Sequence, residues 1–177
     1  MQVFMPFADF IETARALDKR RLQKQGVECL QLLLSIYDVP LDDGRSRTGH
    51  KNHPAYKAWQ PYPLALIKYT LVIVEECKVR GIKADTVEGR VRGLLPEACD
   101  LESIPLPPFV GDEEFHRSHR YRLLQKGRED AAKSGENWYD QFTWEEVSHP
   151  EWEAQPCLWP IYVPDSITEY RLEQRGG

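Results

Sequence analysis

The side chains with the widest chemical reach in this sequence are one glutamate and two pairs of histidines. Glu28 falls inside a helical pattern, and at about 100° per residue Arg21, Lys24, Gln25, Gln31 and Ser35 all lie within about 60° of it. That face is polar, mixed in charge and centred on a single carboxylate. On an ordinary helix surface Glu28 would pair with Lys24 or Arg21 for no more than ~0.5 kcal/mol. The histidines come as His50-x-x-His53 and His116-x-x-His119. Such a pair shares one face of a helix and can ligate a metal, which admits a metal-dependent nuclease or hydrolase. The same histidines, with Arg117 and Arg120, can instead line a pocket or contact phosphates, or serve as caps and core hydrogen-bond partners. Asn52, ahead of His53-Pro54, reads as a helix cap. Tyr56, Trp59 and Tyr62 read as core, with stacking on displaced bases as the alternative.

The elements that must position these groups are helical. Residues 3–10 are short and apolar, include Pro6, and read as an extended segment leading into a helix. From about Ala14 to Tyr37 the period is helical, with Leu22, Gly26, Leu30, Leu33 and Tyr37 as one buried stripe. Gly26 costs about 1 kcal/mol relative to alanine inside a helix, so its place on that stripe implies close packing. Residues 38–53 form a basic loop with Arg45, Arg47 and Lys51. Pro54 starts a short helix, Pro61 and Pro63 break it and start another, and that one runs to Arg80 with Gly81 as its cap. Residues 82–114 give weak signals, and prolines make 104–108 irregular. A further helix spans about 113–126. Residues 129–177 read as an acidic, proline-broken segment carrying Trp138, Trp144, Trp152 and Trp159 around the core, with a fraying end. The expected architecture is all-α, a single compact domain over 1–177 with long proline- and tryptophan-rich irregular segments.

Composition sets the bounds. At 177 residues the chain suits one core, and 41% hydrophobic with 29% charged residues is a globular balance. The most apolar stretch, Leu64 to Val74, falls short of the ~20 residues a membrane span needs. The amino end lacks a basic start and carries Asp9 and Glu12, unlike a secretory signal, so a cytoplasmic protein is expected. Cys29, Cys77, Cys99 and Cys157 show no paired spacing and read as free thiols. The net charge of −5 hides an asymmetry: residues 15–92 hold 15 Lys+Arg against 9 Asp+Glu, and residues 93–177 hold 8 against 17. A basic first half can meet DNA while an acidic remainder limits nonspecific binding, although both sets can also be merely solvated.

Two stretches give the chain a resemblance. Leu17-Asp18-Lys19-Arg20-Arg21-Leu22-Gln23-Lys24-Gln25-Gly26-Val27-Glu28 opens a helix with an acidic and basic cluster and delivers a glutamate. Gly49-His50-Lys51-Asn52-His53-Pro54 is followed by a long helix ending Glu75-Glu76-Cys77-Lys78-Val79-Arg80-Gly81. In order and separation they resemble the bacteriophage-type pyrimidine-dimer DNA glycosylases, also called the endonuclease V type, over about residues 1–85. The resemblance implies a DNA glycosylase and AP lyase without cofactor or metal, acting on double-stranded DNA, with a monomer assumed. It implies that the α-amine of Met1 is the nucleophile and Glu28 the essential carboxylate. An α-amine, with a pKa of about 8, is partly unprotonated near neutral pH, where an ordinary lysine is not. Family members carry arginines where this chain has Gln2, Val27 and Gln31, so the implied substrate widens to a damaged or modified pyrimidine. Arg20, Arg21, Lys24, Arg45, Arg47 and Lys51, with Gln2, His53, His116, Arg117, His119 and Arg120, are the expected DNA contacts. A noncatalytic DNA-binding protein on the same scaffold is the other alternative.

Overall fold

Each helix starts where a side chain can take up its first free N–H groups. In the computed structural model, which describes residues 3–142 and 144 and the backbone of 158–162 and 170–174, Asp9 caps α1 (Phe10–Ala16) by accepting from the Glu12 N–H at 2.8 Å. Asp18 caps α2 (Lys19–Ile36) by accepting from Arg21 N–H at 2.9 Å. The expected single helix from Ala14 to Tyr37 is therefore two. Leu17 and Asp18 are extended, and a capping aspartate cannot also continue the preceding helix.

His53, not Asn52, caps α3 (Pro54–Trp59), its Nδ1 accepting from Ala55 N–H at 3.1 Å. The α4 helix (Pro63–Val79) opens on a proline and closes as expected on Gly81, whose φ of +67° suits a glycine. Ile82 N–H reaches Cys77 O at 2.8 Å and Gly81 N–H reaches Lys78 O at 3.0 Å, the paired bonds of a Schellman ending. The weak stretch after it contains α5 (Asp85–Arg92), which the sequence hid because Val91 is its one fully buried residue. The last helix, α6 (Glu113–Ser134), runs two turns past the expected end and stops at Gly135, with φ +79°. A single 3-10 turn, Trp138–Gln141, follows.

Among the described residues the fold is all-α, six helices packed in one arrangement, with one addition. The backbones of β1 (Leu158–Tyr162) and β2 (Tyr170–Gln174) pair antiparallel, Leu158 opposite Gln174 and Tyr162 opposite Tyr170. The expected irregular segment 129–177 is thus corrected at both places, since residues 129–134 belong to α6. Trp152, Cys157 and residues 163–169 and 175–177 lie outside the described residues.

The core forms where α2 crosses α4. Leu22, Leu32, Leu33, Leu66, Tyr69 and Ile73 are all fully buried there, and Trp59 stacks on Tyr69 at 5.8 Å and meets Phe109 edge-on. Trp59 and Tyr56 are core residues. Tyr37, expected on the buried stripe, ends α2 partly exposed. Gly26 is buried, and a Cβ on it would lie 3.6 Å from Ile73 Cγ2 and 3.8 Å from Val87 Cγ1. Cys29, Cys77 and Cys99 are free thiols. Among the described residues no helix is long and apolar enough to cross a membrane.

Candidate active site

Glu28 lies at the middle of α2, and the helix turn just before it holds the beginning of the described chain. Gln25, one turn earlier and buried, accepts from Phe4 N–H at 3.2 Å and donates to Phe4 O at 3.0 Å. Tyr69 of α4 donates its hydroxyl to the same carbonyl at 2.5 Å and accepts from Gln25 Nε2 at 2.8 Å. Burial pushes the Tyr69 phenol well above its ordinary range, so it stays a donor. Gln25 was expected on a polar face of mixed charge. It is instead the bracket that sets Phe4 beside Glu28.

Phe4 and Glu28 share a cleft of about 500 Å³. Arg20, Arg21, Lys24 and Gln25 of α2 line one side, and Lys126, Glu129, Asp130 and Lys133 of α6 line the other, with His53 at the edge. Glu28 is only 8% exposed, and Lys24 Nζ stands 3.7 Å from its Oε1. The carboxylate is therefore drawn out of bulk water, where its charge acts most strongly on whatever enters.

Arg21 does not face the cleft as a loose cation. Its Nη1 donates to Asp18 Oδ2 at 2.6 Å and its Nη2 to Asp130 Oδ2 at 2.8 Å. Tyr139 donates to the same Asp18 oxygen at 2.6 Å, and the guanidinium lies 5.6 Å from the Tyr139 ring centre. Burial alone would raise Asp18, but the bonds from Tyr139 and Arg21 outweigh it and hold the carboxyl below its ordinary value. Burial, then Asp18, raises the Tyr139 phenol. Arg21 thus ties α2 to α6. Arg20 and Lys24, with side chains 84% and 71% exposed, are the exposed α2 cations that line this cleft.

The other expected contacts scatter. Arg45 pairs with Asp43 at 2.7 Å, Lys51 with Asp38 at 2.6 Å, and Arg47 donates to Val39 O at 2.9 Å, so the loop cations serve the loop. His116 and His119 are buried, which takes them away from any phosphate. His116 Nδ1 bonds Met5 O at 2.9 Å while its Nε2 accepts from Gly111 N–H at 2.9 Å, and His119 Nδ1 accepts from Met5 N–H at 3.1 Å. Arg120 donates to Pro6 O at 2.7 Å and pairs with Glu113. Arg117 is half-buried on the same helix. His116 and His119 are thus backbone partners, and among the described residues no group of three or more His, Cys, Asp or Glu is placed to hold a metal. Met1 and Gln2 lie outside the described residues.

Residues 1–87 match the family model described as pyrimidine dimer DNA glycosylase. Over these residues the chain is similar to that family. No curated protein and no solved structure matches the chain. The matched region holds Phe4, Arg20, Lys24, Gln25, Glu28 and His53, which is one side of the cleft together with its carboxylate. The α6 side lies beyond it. Lys126, Asp130 and Lys133 recur at helical steps, a face that ending the helix near Lys126 concealed.

Proposed function

We propose that the protein is a DNA glycosylase and AP lyase that removes a damaged or modified pyrimidine from double-stranded DNA, using the α-amine of residue 1 and the carboxylate of Glu28. The observation that carries this reading is the bracket at Phe4. Three residues of chain span at most ~11 Å, so a fixed Phe4 keeps that amine within reach of the cleft that holds Glu28.

The chemistry needs little else. The amine lone pair attacks C1′ as the glycosidic bond breaks and the base leaves with the bonding electrons. Glu28, largely withdrawn from water, stabilises the positive charge that develops on the sugar. Loss of the amine proton opens the ring and leaves an imine, whose C2′ proton is acidic. Removing that proton expels the 3′ oxygen and cuts the strand. A cleft of about 500 Å³ suits one displaced nucleotide. Displacing it costs a few kcal/mol, less for a base already poorly stacked. Arg20, Lys24, Lys126 and Lys133 offer phosphate contacts on both rims.

The test is borohydride trapping on abasic-site duplex with native residue 1. We expect a covalent adduct that survives chelator, disappears when the amino terminus is acetylated, and forms about 100-fold more slowly in Glu28→Gln. Absence of adduct with metal-dependent cutting would overturn the reading, and DNA binding without any cutting would favour a noncatalytic scaffold.

A further inference from the structure

The segment from Phe4 to Pro6 is buried without belonging to any sheet. Its main-chain groups are answered one by one by side chains. Phe4 is held through both N–H and carbonyl by Gln25, with Tyr69 adding a second bond to the carbonyl. Met5 is held through its N–H by His119 and through its carbonyl by His116, and Pro6 through its carbonyl by Arg120. Buried main-chain groups must find partners, but a strand ladder or water would have been the cheaper source. Here three α6 side chains are committed to the purpose, two of them fully buried histidines.

The clamp also has a defined direction. Gly111 donates its N–H to His116 Nε2, so the proton of a neutral ring sits on Nδ1 and points at Met5 O. His119 meets the Met5 N–H with the opposite polarity, Nδ1 as acceptor. A slip of the segment by one residue would put Pro6, which has no N–H, opposite His119. The arrangement thus fixes register as well as position. Gly111 itself has φ +100°, a backbone that side chains rarely adopt, so the loop before α6 is shaped to make this bond.

We infer that His116, His119 and Arg120 are positioning residues that hold the amino-terminal segment in register, so that the residue-1 amine is presented to the cleft containing Glu28. This rests on the amine-based reading above, and it assigns to α6, outside the matched half, the part of the site that orients the nucleophile. None of the three touches the substrate.

The sequence supplies two convenient reporters, because its only methionines are Met1 and Met5. Carbon-13 methyl labelling therefore gives two NMR signals, one at the clamp and one at the end it governs. In His119→Ala and Arg120→Ala we expect the Met1 signal to move to the random-coil position and the trapping rate on abasic duplex to fall about tenfold to a hundredfold. KM and the salt dependence of DNA binding should stay unchanged. His119→Asn, which keeps an acceptor, should recover most of the rate. Arg120→Ala guards against a fold that does not tolerate changes at buried His119.

An unmoved Met1 signal in folded variants would overturn the inference. So would a loss of trapping matched by a rise in KM, which would make these residues DNA contacts. If the native protein forms no adduct while Met1 still answers to the clamp, the enzymatic reading falls and the register-fixing role stands.

Discussion

The two walls of the cleft do different work. The α2 wall carries Glu28 and its open cations, Arg20 and Lys24, on a face that lies within the matched residues 1–87. The α6 wall adds Lys126 and Lys133, but the same helix also holds things: Asp130 grips Arg21, and His116, His119 and Arg120 grip the amino-terminal segment. The cleft carboxylate and the side chains that hold the amino-terminal segment are thus split between the two parts of the chain. The contrast can be broken at the joints between them.

Arg80 is the joint whose loss should cost most. It sits at the end of α4 and donates to the carbonyls of Leu17 at 2.6 Å and Arg15 at 2.8 Å, which finish α1. Its guanidinium also lies 5.4 Å from the ring centre of Trp138, whose indole N–H bonds Ala16 O at 3.0 Å. One cation and one indole therefore satisfy the end of α1, one from each half. Arg80→Ala should destabilise the fold by about 3 kcal/mol, since it removes several charged hydrogen bonds and leaves the part-buried Leu17 carbonyl without its donor. At about 3 °C per kcal/mol for a chain of this size, the Tm should drop by about 9 °C. A change of under 1 kcal/mol in a denaturant melt would mean that the halves are joined elsewhere.

Gly127 is the next joint. A Cβ there would come within 2.8 Å of Tyr139 Cδ2 and 3.1 Å of Asn137 Cγ, closer than atoms can pack without moving the turn that delivers Tyr139 to Asp18. Gly127→Ala should cost about 2 kcal/mol despite alanine's better helix propensity. Loosened Tyr139 should also free Arg21, so the cleft's α2 wall would feel a change made on α6. An unchanged melting curve would show that the turn yields without strain.

These joints explain what the sequence did and did not disclose. The helical period of α2, the Gly81 ending and the α4 boundaries were readable because period, proline and glycine are local signals. The break at Leu17–Asp18 was hidden by apolar residues that continue the helical period across it, although Asp18 is an N-cap residue by type. The length of α6 was hidden by Gly127, which reads as a stop but is a contact with residues ten positions on. The histidine pairs carried the right spacing for one helix face, yet spacing cannot say whether imidazoles meet a metal, a phosphate or a main chain. That depended on a partner more than 110 residues away.

The clamp should also respond to pH. Burial holds His116 below its ordinary value of 6.5. The bond to Met5 O and the nearby Glu113 and Asp112 oppose that shift, while Arg120 adds to it. A histidine depressed in the fold binds fewer protons than in the unfolded chain, so its contribution is complete above about pH 6.5 and is lost as pH falls through the folded value. Protonation would cost the acceptor that receives Gly111 N–H. Melts from pH 7.5 down to 5 should show falling stability, with a flatter slope in His116→Asn. Equal slopes in the two proteins would remove His116 as the cause.

The smallest effect separates two of the glycines that lie inside helices, Gly26 and Gly127. Gly26, in the matched half, packs where α2 crosses α4, and an added Cβ would meet Ile73 and Val87 at 3.6 and 3.8 Å, ordinary contact distances. Nothing has to move, and the substitution restores the backbone entropy that glycine gives up in a helix. Gly26→Ala should therefore stabilise by up to about 1 kcal/mol, the opposite sign from Gly127→Ala. Paired chemical melts of the two variants test whether tight packing around a glycine belongs to the reactive wall or to the holding one. Destabilisation at Gly26 would mean that α2 and α4 are seated closer than those distances allow, and that both walls are equally constrained.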